Sequence, residues 1–224
     1  MTVPYCYEYP HPAVTTDVAV FTLRQQQLQL LLVRRGEDPY RGMWALPGGF
    51  LEIDEDLESC AKRELKEETG VSDLYIEQLF TFGRPDRDPR ERIISVTYFA
   101  LVPSNKLEIR AGSDAADAAW HSLNTLPELA FDHAEIIQQA QERLAAKTLY
   151  STIAFQLLPP TFTLSELQSV YEILRNETLD KRNFRKWILS LNLLTETGEK
   201  RMSGNHRPAK IYQATNPDHV EIIR

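Results

Sequence analysis

Runs of apolar and β-branched residues recur through the N-terminal part of the chain, and polar or turn-forming segments bound each of them. Runs of this kind predict β-strands. They occupy residues 13–23, 28–33, 74–82, 92–102 and 117–123. Because only the polar residues 24–27 separate the first two runs, we predict that these two strands form a hairpin.

Two helices are predicted among these strands. Asp54 and Asp56 offer an N-cap and a negative charge for a first helix from about Asp56 to Thr69, and Gly70 offers a left-handed residue directly after its last turn. A second helix is expected to run from Asp132, its predicted N-cap, to about Lys147. Strands and helices in this order predict an α/β unit.

A different pattern begins at residues 159–160, two consecutive prolines that are followed by shorter elements. Thr163 and Glu166 have the spacing of a capping box, which predicts a helix ending near Leu174. Asp180 is placed to cap a further helix. The expected bounds of this helix are 181 and 190.

The last part of the chain predicts two strands around a loop. The strands are expected at 191–195 and 209–214, and the basic, turn-rich tip between them at 198–208. Two helices followed by a strand, a basic loop and a strand are the order of a winged helix, a DNA-binding unit. We therefore divide the chain into an α/β domain at 1–148 and a winged-helix domain at 149–224.

Composition narrows the class of protein. The 42% apolar and 25% charged residues are typical of a globular protein, and no apolar run approaches the ~20 residues of a membrane span. The first residues lack the features of a signal peptide, so we expect no membrane partner and a cytoplasmic location. Two cysteines, Cys6 and Cys60, are too few for a disulfide framework.

Charge is distributed unevenly. The net charge is −7, but residues 181–210 contain eight Lys or Arg against two Glu, a local excess of six positive charges. A basic segment in an acidic chain favours a polyanionic partner over a merely solvated surface, and the winged-helix order indicates that this partner is a double-stranded DNA operator. The residues predicted to contact DNA are Lys181, Arg182, Asn183, Arg185, Lys186, Arg201, His206, Arg207 and Lys210.

Three carboxylates mark the first helix as a candidate metal site. Glu64, Glu67 and Glu68 are spaced i, i+3 and i+4, so they share one helix face. Such a cluster is either a solvated acidic face or a set of oxygen ligands for Mg²⁺, with Mn²⁺ as a possible substitute. The glycines of 48–49 favour the second reading, because they allow a close approach of the backbone. Arg63 is expected to pair with Glu55.

Residues 49–71 resemble a complete Nudix box at every defined position. The resemblance implies a Nudix fold, a mixed sheet between helices, that hydrolyses a nucleoside diphosphate linked to another group. It also implies that Glu64, Glu67 and Glu68 hold Mg²⁺, with the Gly49 carbonyl as a further ligand. Arg63 and Glu55 would be structural supports at the catalytic site. The box does not identify a general base.

A charged loop at 83–91 adds candidate ligand-binding residues. Its guanidinium groups suit phosphate and ribose oxygens, although a solvated hairpin loop is the alternative. The loop also resembles the R-D-P-R loop of Nudix proteins that handle ADP-ribose, and the L-A-F-D-H run at 129–133 is similar to ADP-ribose pyrophosphatases. These resemblances imply substrate-binding roles for Arg84, Arg87, Asp88, Arg90 and His133.

The whole chain resembles the Nudix-related transcriptional regulators of bacteria, whose best-known branch controls NAD metabolism in response to ADP-ribose. That resemblance implies a homodimer that binds ADP-ribose and an operator. Many such regulators have an eroded box, whereas this box is intact, so hydrolysis of ADP-ribose to AMP and ribose 5-phosphate is also expected. Two alternatives are a plain Nudix pyrophosphatase without DNA binding and a catalytically silent regulator that senses a sugar metabolite.

Overall fold

The computed structural model describes residues 8–72, 74–103, 105, 115–202 and 208–223. The strands are β1 (Ala13–Arg24), β2 (Gln27–Arg35), β3 (Trp44–Ala45), β4 (Gly48–Phe50), β5 (Tyr75–Phe82), β6 (Ile93–Val102), β7 (Ala115–Ser122), β8 (Phe162–Thr163), β9 (Leu194–Arg201) and β10 (Ala209–Ala214). The helices are α1 (Leu57–Thr69), α2 (His133–Lys147), α3 (Leu164–Arg175) and α4 (Lys181–Ser190). Among the described residues, no helix is long and apolar enough to cross a membrane.

The first seven strands form one mixed sheet. Its path is β3-β2-β1-β6-β5, with β4 paired to β1 and β7 paired to β2. Strands β1 and β2 form the predicted hairpin, and both turn residues, Gln25 and Gln26, have positive φ. Strand β6 joins β1 in parallel, whereas the other pairs of this sheet are antiparallel. The mixed sheet agrees with the predicted Nudix fold.

The central strands are apolar on both faces. In β1, Val18 and Val20 point to one side, where Ala61 and Leu65 of α1 cover them. Ala19 and Phe21 alternate with these residues and point to the other side, as the two-residue period of a strand requires. There they join the core that includes α2 and the winged helix. The sheet is therefore covered on both faces.

Local capping signals positioned most helix ends correctly. The Asp56 side chain accepts a hydrogen bond from the Ser59 N–H, and Gly70 has φ 73° directly after α1. Asp132 stands at the predicted N-cap position of α2. Asp132 precedes the helix, but its carboxylate makes no capping hydrogen bond and binds Arg87 instead. A buried guanidinium competes for this carboxylate more strongly than backbone N–H groups do.

The C-terminal elements form the predicted winged helix. The capping box is present, because Thr163 and Glu166 each bond the other residue's backbone N–H at the start of α3. Phe184 and Ile188 of α4 are buried. The strands predicted for the wing differ from the structure in two respects. Strand β9 begins at Leu194 and continues through Gly198 to Arg201, and β8 adds a third strand beside β10.

The winged helix shares its core with the α/β domain. Leu144 of α2 belongs to the same buried cluster as Leu167 and Leu174 of α3 and as Phe99 of β6. The domain boundary at 148/149 remains a prediction. The structure adds that these two parts of the chain bury apolar surface against each other.

Replacing Leu167 with alanine tests this shared core. Leu167 has no exposed surface, so its truncation should cost about 2–5 kcal/mol of the free energy of unfolding. Differential scanning calorimetry should show one transition for the whole chain, at a lower temperature in the variant. The control is Gln139→Ala at an exposed position of α2, which should leave the midpoint nearly unchanged. Two transitions, with only one shifted, would contradict a shared core.

Candidate functional site

A cleft of ≈ 780 Å³ opens between four parts of the chain: the glycine turn (residues 48–49), α1, the arginine-rich loop (residues 83–91) and the start of α2. It contains side chains from parts of the chain that are far apart in sequence. One wall is acidic and comes from α1, and the facing residues supply guanidinium groups and an aromatic ring. The lining includes Asp17, Arg35, Gly48, Gly49, Arg63, Glu64, Glu68, Arg87, Asp88, Arg90, Phe131 and His133.

Two glycines bring the acidic wall and the backbone into close contact. The Gly48 N–H donates a 2.9 Å hydrogen bond to Glu68 Oε2. A Cβ added at Gly49 would overlap the Glu64 carboxylate, so only glycine fits beside that side chain as it stands. Burial raises the pKa of Glu64 and raises that of Glu68 to about 8. Two carboxylates that are costly to ionise in this cleft favour a cation between them.

Arg63 forms hydrogen bonds with several residues of the Nudix box. Its guanidinium donates to both carboxylate oxygens of Glu55, at 3.1 and 2.6 Å, and to the Phe50 carbonyl at 3.1 Å. The hydrogen bond from Arg63 lowers the pKa of Glu55 to about 2. The same guanidinium binds Glu64 at 2.7 Å and the exposed Glu67 at 3.2 Å. The pairing of Glu55 with Arg63 agrees with the sequence prediction.

The carboxylates are not arranged as a ready-made metal cage. In the described parts of the chain, no three His, Cys, Asp or Glu side chains are grouped to hold an ion. Glu64 and Glu68 line the cleft, whereas Glu67 lies outside it and contacts Arg63. The oxygen donors and the close Gly49–Glu64 contact still suit a hard divalent cation at Glu64 and Glu68. The roles assigned to Gly49, Glu64, Glu67 and Glu68 therefore remain predictions.

A buried charge network forms the opposite wall. Arg87 binds both Asp132 oxygens, at 3.0 and 2.7 Å, and both side chains are only 3% exposed. The same guanidinium lies 3.6 Å from Asp17, whose carboxylate also accepts a hydrogen bond from the Ser95 hydroxyl. This network ties together β1, β6, the arginine-rich loop and α2.

His133 is fixed by the backbone. Its Nδ1 accepts a 2.9 Å hydrogen bond from the Leu46 N–H, which requires that nitrogen to be unprotonated. Burial lowers the pKa of His133, in agreement with a neutral ring. The Nε2 atom lies 3.7 Å from Asp17 Oδ1, on the cleft side. Its position beside the cleft is compatible with a ligand contact.

Two arginines contact the ring of Phe131. The guanidinium carbons of Arg35 and Arg90 lie 4.8 and 5.6 Å from its ring centroid. Asp88 holds Arg90 through two hydrogen bonds, at 3.0 and 2.8 Å. Burial, and then the nearby charge of Arg90, lower the pKa of Arg35. Two like charges held this close favour an anionic ligand between them.

The sequence predictions for this wall were incomplete. The structure brings Arg87, Asp88, Arg90 and His133 to the cleft, but Arg84 is exposed, pairs with Glu135 at 3.0 Å and does not line it. Sequence reasoning missed several lining residues, among them Asp17, Arg35 and Phe131. The one local signal for them was the L-A-F-D-H run, which includes Phe131.

Helix α4 presents a basic surface. Phe184 and Ile188 face the core, and the opposite side is exposed. The exposed residues are Lys181, Arg182, Asn183, Arg185 and Lys186. This arrangement fits a helix that enters the major groove of DNA, with basic side chains available for bases and phosphates.

Two of the wing residues that were predicted to contact DNA form ion pairs with glutamates of the protein itself. Arg201 binds Glu166 at 2.9 and 3.2 Å, and Lys210 binds Glu196 at 2.8 Å. Arg201 therefore joins the wing to the start of α3, a contact that the sequence did not indicate. His206 and Arg207, also predicted to contact DNA, lie outside the described residues.

Comparisons with known proteins match both halves of this architecture. Residues 14–140 match the NUDIX domain, and residues 154–214 match the NrtR DNA-binding winged helix domain. An ADPR responsive transcriptional repressor of Acinetobacter baylyi is 38% identical over 95% of this chain and 86% of its own length. The chain belongs to the NrtR family of Nudix-related regulators. Its C-terminal part is thus a winged helix of the NrtR type, as the element order predicted.

Two further proteins resemble this NrtR family member. Shewanella oneidensis NrtR, crystallised with a 27mer DNA, has a TM-score of 0.82 and 41% identity, covering 92% of this chain and 94% of that one. Its NUDIX domain, crystallised with ADP ribose, has a TM-score of 0.57 and 40% identity, covering 61% of this chain and 90% of that one. The ADP-ribose pyrophosphatase of Methanocaldococcus jannaschii is 42% identical over 58% of this chain and 73% of its own length. Nudix domain hydrolases generally use divalent metal ions.

The two glycines allow a test of the acidic wall in this NrtR-type chain. In Gly49→Ala, the added methyl group should push the Glu64 carboxylate aside, which a flexible side chain can do at little cost in stability. Affinity for Mn²⁺, measured by isothermal titration calorimetry, should fall by about tenfold or more.

Gly48→Ala is the matched comparison. Its methyl group would overlap the Thr16 carbonyl oxygen, which is backbone and cannot move away easily. That variant should lose thermal stability, whereas Gly49→Ala should keep it. Unchanged Mn²⁺ affinity in Gly49→Ala would remove Glu64 from the metal site.

Proposed function

We propose that this protein is an ADP-ribose-responsive, DNA-binding transcriptional regulator of NAD metabolism. One observation carries the proposal. A single chain combines a cleft suited to a diphosphate with an NrtR-type winged helix that has a basic α4, and the two domains share a core. The NrtR relatives are similar over almost the whole chain, which supports the same combination of ligand and DNA. Its site of action is the bacterial cytoplasm, where operators are located.

The chemistry of the cleft supports ADP-ribose as the ligand. Arg35 and Arg90 converge on one ring and offer guanidinium donors to phosphate oxygens. The carboxylates Glu64 and Glu68 would hold a divalent cation, Mg²⁺ in the cell, against the same diphosphate. The NUDIX domain of Shewanella oneidensis NrtR, crystallised with ADP ribose, supports the assignment.

DNA recognition follows from the exposed side of α4. We propose that α4 enters the major groove and that the protein acts as a homodimer on two half-sites about one helical turn apart. The exposed basic side chains would contact phosphates and base edges. Arg201 would instead hold the wing in place through Glu166.

Hydrolysis of the bound ADP-ribose to AMP and ribose 5-phosphate is a second candidate activity. It is favoured by the intact box and by the likeness to an ADP-ribose pyrophosphatase. When bound, a divalent cation neutralises charge on a diphosphate and lowers the pKa of a nearby water. The protein contributes Arg63, which orients Glu64, and the Gly48 N–H, which orients Glu68.

Adding ADP-ribose should release the operator. A duplex selected from a random library by the wild-type protein should bind in a gel shift, and ADP-ribose with Mg²⁺ should weaken that binding by about tenfold or more. Ribose 5-phosphate at equal concentration is the control ligand, because it lacks the diphosphate. Unchanged binding at millimolar ADP-ribose would contradict the proposal, and release by the sugar phosphate instead would favour the sugar-sensing alternative.

Neutralising α4 should weaken DNA binding and reduce its salt dependence. In the double variant Arg182→Gln with Lys186→Gln, each lost phosphate contact should lower the slope of log K against log salt by about 0.9. Fluorescence anisotropy across a range of salt concentrations measures this slope. Lys62→Gln, an exposed cation on α1, should leave the slope unchanged. A full slope in the double variant would exclude α4 as the DNA-reading helix.

Removing one carboxylate charge should separate hydrolysis from gene control. Glu68→Gln should lower ADP-ribose turnover by about 100-fold or more, because a metal-holding charge is lost, and should leave operator affinity without ligand unchanged. AMP release, followed by chromatography, measures turnover. Glu58→Gln, on the exposed side of the same helix, is the control. Wild-type turnover in the Glu68 variant would refute the assigned metal site, and no turnover in the wild type would leave a regulator without enzymatic activity.

A further inference from the structure

Helix α2 connects the ligand cleft to the winged helix. It has 15 residues, which corresponds to a length of about 22 Å. Asp132, directly before it, is bound by Arg87 in the cleft wall. Thr148, directly after it, is bound by Arg175 of α3. One helix is thus held at both ends by an arginine, one in each domain.

The C-terminal contact leads to the DNA-reading helix. Arg175 Nε donates to Thr148 Oγ1 at 2.8 Å, and its Nη2 donates to the Thr148 carbonyl at 2.7 Å. The same guanidinium lies over the Tyr171 ring, at 5.1 Å from its centroid. That ring contacts Phe184 and Trp187 of α4, both at 5.5 Å between centroids. A displacement at Thr148 would therefore reach α4 through packed side chains.

The N-terminal contact can respond to a ligand. Arg87 lies at 2.7 Å from Asp132 and at 3.6 Å from Asp17, and both Arg87 and Asp17 line the cleft. A diphosphate in the cleft would compete with Asp132 for this guanidinium. It would shift the arrangement of α2 if it bound more tightly to a state in which Arg87 turns towards the cleft.

Two features attach α2 to the winged helix. The buried face of α2, including Ile137 and Leu144, packs in the same core as Leu167 of α3. The C-terminal segment is also attached to the residues after α2. Thr152 N donates to the Glu221 carbonyl at 2.9 Å, and Ile223 N donates to the Tyr150 carbonyl at 2.8 Å. The junction is therefore packed and hydrogen-bonded.

We propose that α2 transmits ligand occupancy to the winged helix, and that Arg175 is the positioning residue that couples the end of α2 to α3 and α4. The inference rests on the proposed function and adds the route by which the two sites communicate. Arg175 touches neither the cleft nor the exposed basic side of α4. Its loss should alter the effect of one site on the other rather than binding at either site alone.

The test uses the full chain with Arg175→Gln. Calorimetry measures the affinity for ADP-ribose. The affinity for the duplex selected by the wild-type protein is measured twice, without ADP-ribose and with saturating ADP-ribose. The ratio of these two DNA affinities is the coupling. In the variant, the ADP-ribose affinity should stay within about twofold of wild type, and the coupling should fall at least about fivefold, towards a ratio of one. Lys62→Gln, an exposed cation on α1, is the control and should keep the wild-type coupling.

Three other results have defined meanings. Wild-type coupling in Arg175→Gln would overturn the inference and leave the proposed function intact. No ligand effect in the wild-type protein would overturn the proposed function itself. If Arg175→Gln does not fold, Arg175→Lys replaces it as the test variant, because lysine keeps the charge but loses the two-point contact with Thr148. Reduced coupling in Arg175→Lys would support the inference, and full coupling would overturn it.

Discussion

The fold depends on a central sheet that is apolar on both faces and must be covered on both. Strands β1 and β6 run in parallel, and residues such as Val18, Phe21 and Phe99 are fully buried. Helix α1 covers one face. The other face needs α2 together with the winged helix, whose Leu167 and Tyr171 join the same core. The DNA-binding part therefore shares with α2 the cover of one face of the Nudix sheet and is not an appendage on a linker.

This packing explains how the cleft can be both charged and well defined. Arg87 and Asp132 are almost fully buried, and removing one partner from such a pair typically costs about 3–5 kcal/mol, because the remaining charge is left without compensation. The pair holds the arginine-rich loop against the start of α2. Arg63 has the same role on the acidic wall, where it joins Glu55 to Glu64 and to the Phe50 carbonyl. Charged residues thus hold the walls of the cleft in place.

The same arrangement places two functions at opposite ends of one helix. Ligand chemistry is concentrated around Phe131 and Asp132, and the winged helix begins beyond Thr148. A packed helix fills the space between them, so the two sites share a structural element even though they share no residue. An intact Nudix box in such a protein is compatible with a regulator that also removes its own ligand.

The sequence by itself determined the elements whose signals are local. The β1–β2 hairpin, the caps of α1 and the capping box of α3 all depend on residues within a few positions of one another, and all were predicted. Tertiary structure decided the contacts between distant residues. Asp132 has the form of an N-cap, but Arg87, 45 residues away, takes its carboxylate. The sequence also could not show that Arg35 and Arg90 meet at Phe131, or that Arg201 bonds Glu166. Such contacts depend on how strands and helices pack, and packing is not encoded in the spacing of neighbouring residues.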